Sequence, residues 1–155
     1  MNPTIGIIGG KGRMGKLFAD FFRERGLTVL VSDLNTKLKN HELADRSDIV
    51  IISVPIPHSE KVIHDVLPHI KGAIMDFTSI KEPVIKAMLK GKCEVLGMHP
   101  MFGESNLIPG QTIILCPTPK SGPWSDWMEK FLLGHNVKIQ RMSAKEHDRI
   151  MNIAQ

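Results

Sequence analysis

Short apolar, β-branched runs alternate along this chain with segments whose apolar positions recur at helical spacing. The runs Thr4–Ile8, Thr28–Ser32, Ile49–Val54, Ala73–Asp76, Glu94–Gly97, Thr112–Cys116 and Lys138–Gln140 read as strands. Several are apolar throughout, which fits a sheet buried on both faces. Between the first two, Met14, Leu17, Phe18, Phe21 and Phe22 fall on one side of a helix that Gly26 ends as a C-cap residue. Further helices are expected at Pro57–Ile70, Glu82–Leu89 and Ser125–Leu133, with Pro57 and Pro83 suited to first-turn positions. Strand, helix and strand repeated in this way predict an α/β fold: a doubly wound, mostly parallel sheet in three α-β-α layers.

The first strand runs directly into Gly10-x-Gly12-x-x-Gly15, and a helix follows. In that context the spacing reads as a dinucleotide-binding turn. Gly10 serves the tight turn, Gly12 lets backbone approach a pyrophosphate, and Gly15 allows the helix to pack closely on the strand. The N–H groups of the helix start, from Arg13 and Met14 on, then face the phosphates, with Lys11 beside them. The second strand ends at Asp33, about twenty residues on, where a carboxylate accepts hydrogen bonds from ribose hydroxyls and repels a 2′-phosphate. NAD is therefore expected rather than NADP, although Lys37 and Lys39 could receive a phosphate in a remodelled loop. The stretch Asn35–Asn40 reads as a loop in place of a full helix, leaving the adenine side short and open.

Composition narrows the function. The chain has 155 residues, about one domain's worth, and 42% hydrophobic residues supply a core. Its net charge of +4 arises from 20 basic and 16 acidic residues that are interspersed, without the basic arm of a nucleic-acid binder. Cys93 and Cys116 sit apart in apolar runs and read as buried free thiols, which fits a reducing cytoplasm. No signal peptide or membrane-span pattern is present, so a soluble protein is expected. His41, His58, His64, His69 and His135 lack metal-ligand spacing, and no metal is expected. Trp124 and Trp127 read as packing residues, and Met88, Met98, Met101 and Met128 as core or pocket filler.

Three strand ends carry the candidate chemistry, because ligands in open α/β sheets bind outside the carboxyl ends of the strands. They are Ser53-Val54-Pro55, Asp76-Phe77-Thr78-Ser79-Ile80-Lys81 and Gly97-Met98-His99-Pro100. His99 is placed to take a proton near neutral pH, and the Ser79 hydroxyl to orient it.

These motifs, together with Met101-Phe102-Gly103 and Ser143-Ala144-Lys145-Glu146-His147-Asp148, resemble the nicotinamide domain of the prephenate dehydrogenase family over nearly the whole chain. The resemblance implies a Rossmann-type NAD-binding domain over residues 1–142. It also implies NAD-dependent oxidative decarboxylation of prephenate to 4-hydroxyphenylpyruvate, on the route to tyrosine. His99 would accept the hydrogen bond of the ring carbinol and Ser79 would contact both His99 and the substrate. The cofactor would lie on Gly10, Lys11, Gly12, Arg13, Met14, Gly15, Asp33, Ser53, Val54 and Pro55. Lys81 could meet a substrate carboxylate, though a solvated first-turn lysine explains it as well. His147 and Asp148, opening the last helix, would lie near the substrate entrance, though capping and surface solvation explain them as well.

The family adds a helical domain that dimerises and supplies a carboxylate-binding arginine. Residues 143–155 would be the start of the connecting helix, with Ile150, Ile153 and Ala154 on a side that wants a partner surface. The chain is thus expected to be a truncated or split piece, weakly active alone. Glu104 is a departure, since an acid does not suit a dianionic substrate. Arogenate as substrate, a small hydroxy acid handled by a β-hydroxyacid-type dehydrogenase, and a non-catalytic NAD-sensing module are the alternatives. The small hydroxy acid is disfavoured by the His99 motif.

Overall fold

A computed structural model describes residues 2–103 and 105–154; Glu104 and the side chains of Ile153 and Ala154 lie outside the described residues. Seven strands form one sheet: β1 (Thr4–Ile8), β2 (Thr28–Ser32), β3 (Ile49–Ile52), β4 (Ala73–Asp76), β5 (Glu94–Pro100), β6 (Thr112–Pro117) and β7 (Lys138–Arg141). Their order is β2-β1-β3-β4-β5-β6-β7. All neighbours are parallel except β5 and β6, which pair antiparallel with His99 opposite Ile114. Among the described residues no helix intervenes between those two strands, and the chain returns alongside the strand it has left.

Among the described residues six α-helices complete the layers: α1 (Arg13–Glu24), α2 (Asn40–Asp45), α3 (Ile56–Val66), α4 (Glu82–Met88), α5 (Pro123–Gly134) and α6 (Ala144–Ala154). Phe18 and Phe22 of α1 share one core with Met128 and Leu132 of α5. Leu43 of α2, Ile63 of α3 and Ile85 of α4 share the other, across the sheet. β3 and β4 run through the middle, and all eight of their residues are buried. This is the three-layer α/β architecture that the alternation of runs predicts.

Several boundaries differ from the sequence reading for identifiable reasons. β3 stops at Ile52, where Ser53 N–H still bonds the Ile8 carbonyl but the chain turns toward α3. β5 continues three residues past Gly97 because β6 supplies backbone partners as far as Pro100. The expected helix to Ile70 changes to a 3-10 turn at Leu67–His69, where Pro68 has no N–H to continue the α ladder. The loop after β2 is open as expected, but α2 begins at its end, with the Lys39 N–H donated to Glu42 Oε1. Trp127 stacks on Phe131 at 4.9 Å, and both tryptophans pack on the α1/α5 core. Met88, Met98 and Met128 are buried in the cores, whereas Met101 is exposed at the cleft. Cys93 and Cys116 are buried free thiols, and burial pushes Cys116 up to about 11. Among the described residues no helix is long and apolar enough to cross a membrane.

Candidate cofactor and active site

The turn between β1 and α1 is built by backbone. Gly9 takes φ +87°, and the N–H groups of Gly9 and Gly10 both reach the Ser32 carbonyl, at 2.8 and 3.2 Å. A Cβ on Gly10 would come within 2.5 Å of Val31 Cγ1, and one on Gly15 within 2.5 Å of the Gly9 carbonyl oxygen. Those two glycines are therefore required by the protein's own packing. Gly12 is not, for a Cβ there would meet nothing closer than the Gly9 oxygen at 3.4 Å. The space it leaves faces outward at the N-cap of α1, where no side chain caps the helix and its first turn holds no acid. The N–H groups of the first turn and the positive end of the helix dipole are left for an anion. The turn is thus a cradle of the right chemistry for a pyrophosphate.

Asp33 stands beside that turn. Its Oδ2 accepts the Lys11 N–H at 2.9 Å and its Oδ1 accepts the Leu34 N–H at 2.8 Å, so the carboxylate is tied to the same backbone that would hold the phosphates. Lys37 is exposed, and Lys39 Nζ donates to the Thr36 carbonyl at 3.1 Å.

A cleft of about 590 Å³ opens from the turn along the carboxyl ends of β3, β4 and β5. Gly12, Arg13 and Met14 line one end, Ser53, Val54 and Pro55 a side, and Thr78, Ser79 and His99 the far end. Phe77 forms part of its floor and stacks on Phe18 of α1, with ring centroids 4.3 Å apart. The structure therefore brings the glycine turn, the β3 end and the two polar strand ends to one cavity.

His99 projects from the penultimate position of β5. Its Nδ1 lies 2.7 Å from His147 Nε2, and His147 Nδ1 lies 2.8 Å from Asp148 Oδ1. Burial, followed by the neighbouring His147 and Lys81, pushes the His99 imidazole down from 6.5 to about 4, so it is neutral at physiological pH. Ser79 lines the same cleft, but the ring nitrogen contact that orients His99 is made by His147.

Two candidate substrate residues sit elsewhere than expected. Lys81 is fully buried, neither solvated nor in the cleft: its ammonium is paired with Asp76 Oδ2 and donates to the Met98 carbonyl at 2.7 Å. Asp76 closes a fully apolar strand and must find a cation there, which Lys81 supplies from five residues on. His147 is likewise fully buried, behind His99 rather than at an entrance. Asp148, expected beside His147 at an entrance, instead joins two helices. Its carboxylate accepts the N–H groups of Lys81 at 2.7 Å and Glu82 at 2.8 Å, and thereby fastens α6 to the start of α4. Burial opposes its ionisation, but those two bonds and the one from His147 hold it below the usual carboxylate range.

Comparison with known proteins places this geometry. Residues 19–141 match the family described as prephenate dehydrogenase, nucleotide-binding domain. The chain is 37% identical, over 99% of its length, to a probable arogenate/prephenate dehydrogenase of Methanocaldococcus jannaschii, and 34% identical over 100% to the T-protein of Enterobacter agglomerans. It spans 40% and 42% of those two proteins. Its fold superposes on arogenate dehydrogenase of Synechocystis with a TM-score of 0.80 at 20% identity, covering 96% of this chain and 62% of that one. The prephenate dehydrogenase of A. aeolicus, solved with hydroxyphenyl propionate and NAD+, gives 0.79 at 20% identity, covering 97% and 63%. With the glycine turn and the histidine near the end of β5 on one cleft, the acid after β2 bonded to the backbone of that turn, and the family match spanning most of the sheet, this chain belongs to the prephenate dehydrogenase family as a nucleotide-binding domain.

Proposed function

We propose that the chain binds NAD across the β1–α1 turn and serves as the nucleotide half of a dehydrogenase that oxidatively decarboxylates prephenate to 4-hydroxyphenylpyruvate. The single observation that carries this reading is His99, neutral and at the end of β5, on the same cleft as the Gly12 cradle. The A. aeolicus relative of like fold is named as a complex with NAD+.

The residues fit the cofactor: an uncapped helix start with space at Gly12 for the pyrophosphate, and Asp33 for the ribose. When bound, the nicotinamide supplies the hydride acceptor. His99 receives the proton of the substrate's ring hydroxyl on its free nitrogen, which requires the neutral imidazole. Ser79, at the same end of the cleft, is within the region a carbinol would occupy. Loss of the ring carboxylate as carbon dioxide then makes the ring aromatic, which drives the reaction forward. Arg13 is the one cation among the described residues of the cleft, and it sits at the phosphate end. No second cation stands among the described residues that line this cleft, and we assign the substrate's two carboxylates to a helical substrate domain of the family, of whose members this chain spans about 40%.

Calorimetric titration with NAD and NADP, followed by NADH formation from prephenate and from arogenate, tests the reading. Turnover is measured on the chain joined to the helical domain of one of the curated relatives, with His99→Asn as the control. NADH formation that His99→Asn abolishes supports the proposal. Cofactor binding with no NADH from either substrate overturns it in favour of an NAD-sensing module.

A further inference from the structure

We infer that His147 and Asp148 are positioning residues that fix the tautomer of His99, placing its proton on Nδ1 and leaving the lone pair on Nε2 for the substrate. The inference rests on the reading of His99 as proton acceptor and deepens it. With both imidazoles neutral, the direction of each hydrogen bond follows from the one before. Asp148 already accepts two backbone N–H groups, from Lys81 and Glu82, and is held as a carboxylate. A carboxylate has no proton to give, so in the 2.8 Å contact His147 Nδ1 is the donor. A neutral imidazole with its proton on Nδ1 presents a bare Nε2. The 2.7 Å contact to His99 then runs one way: His99 Nδ1–H donates and His147 Nε2 accepts. The remaining nitrogen of His99, Nε2, carries the lone pair and has no protein partner among the described residues.

The fold makes this arrangement stiff. His99 and Gly97 lie on the same face of β5, the face on which α4 packs, for Ile85 Cδ1 would stand 2.6 Å from a Cβ on Gly97. His147 enters from α6 at full burial, with the two rings 4.9 Å apart and nearly perpendicular at 73°. A ring held this way cannot turn over to present Nδ1 to the cleft without breaking a buried hydrogen bond. Without His147 as acceptor, no other hydrogen bond among the described residues selects which nitrogen of His99 is bare. An imidazole with its proton on Nε2 would offer the substrate hydroxyl a donor where an acceptor is needed.

The test is direct observation of the tautomer in the 155-residue chain by 15N NMR of labelled histidine at neutral pH. The expected result is a protonated Nδ1 and an unprotonated Nε2 for His99, with the Nδ1 proton coupled across the hydrogen bond to His147 Nε2. His147→Asn keeps a side-chain donor for Asp148, and hence the fastening of α6, but removes the acceptor for His99. In that variant the Nε2-protonated form of His99 should appear while cofactor affinity stays unchanged. In the joined, active protein kcat should fall roughly 10²- to 10⁴-fold with the KM for cofactor preserved. A wild-type His99 protonated on Nε2, or a tautomer that His147→Asn leaves unaltered, overturns the inference. Should that variant not fold, the wild-type position of the shared proton still decides. Because the tautomer is read without substrate, an absence of turnover beside the expected tautomer counts against the proposed reaction and not against the positioning role.

Discussion

Replacing Lys81 by methionine removes the ammonium but keeps most of the side chain's length, and separates two roles for this residue. Both Lys81 and Asp76 are completely excluded from solvent. After the change Asp76 retains the Thr78 hydroxyl, the Thr78 N–H at 3.1 Å and the Met98 N–H at 3.3 Å, but no cation. Breaking one side of a buried pair costs about 3–5 kcal/mol, because the remaining charge stays in the low-dielectric interior. Against a total stability of roughly 5–15 kcal/mol this is a large loss. For a domain of this length it corresponds to a fall in Tm of about 6–20 °C.

Urea and thermal denaturation of Lys81→Met, Asp76→Asn and the double variant form a cycle that measures the pair. The double variant should recover about 1–4 kcal/mol relative to Lys81→Met, since neither charge is then stranded. If Lys81→Met unfolds within about 1 kcal/mol of the parent protein, while the active joined protein loses affinity for prephenate, the buried-pair account is wrong. Lys81 would then be the carboxylate contact that its place after Ser79 suggests.

Three other outcomes follow from the site. His99 is neutral in the fold down to about pH 4 but protonates near 6.5 when unfolded, so the unfolded chain binds the extra proton between those values. Its contribution, about 1–2 kcal/mol after allowance for its partial exposure, should be complete above pH 6.5 and lost as pH falls toward 4. His99→Gln should flatten that part of the urea-midpoint profile, and an unchanged slope would refute the assignment. Gly12→Ala should leave stability within about 0.5 kcal/mol, because a Cβ there meets nothing closer than 3.4 Å, yet weaken NAD binding at least tenfold; equal binding in calorimetry would mean the phosphates lie elsewhere. Asp33→Asn should cost about 1.5–3 kcal/mol of NAD affinity, some 10- to 150-fold, and affect NADP less; equal losses for both would remove Asp33 from cofactor selection.

What could be read from the chain before folding was whatever depends on neighbours in sequence. The strand Ile49–Ile52 is apolar at every position, and the turn from Gly9 to Gly15 carries its own spacing, so the sheet's centre and the cradle were both visible. Pairing partners were not. The extension of β5 to Pro100 depends on β6, and α2 has only six residues, too few for a periodic signal. His147 meets His99 across 48 positions, and its burial follows from how α6 docks, which no local pattern encodes. The Lys81 pair did leave a signal, because an aspartate closing a wholly apolar strand calls for a cation nearby.

The division of polar groups between the two sides of His99 has a chemical consequence. Behind the ring, every charge is closed on itself: Lys81 on Asp76, and Asp148 on two backbone N–H groups and His147. In front, the cleft is walled largely by Met14, Val54, Phe77, Pro100 and Met101, with only Thr78, Ser79 and His99 as polar groups at its far end. A ligand group reaching that end would displace water from an apolar wall and meet Thr78, Ser79 and His99 together, which fixes its orientation there. In the proposed reaction hydride and proton leave adjacent atoms of one carbinol, so orientation at that point would govern rate more than affinity along the wall. The protein supplies that point from β4, β5 and α6 together. Loosening α6 from α4 at Asp148 should therefore disturb His99 before it disturbs the cradle at Gly12, which β1, β2 and α1 build without it.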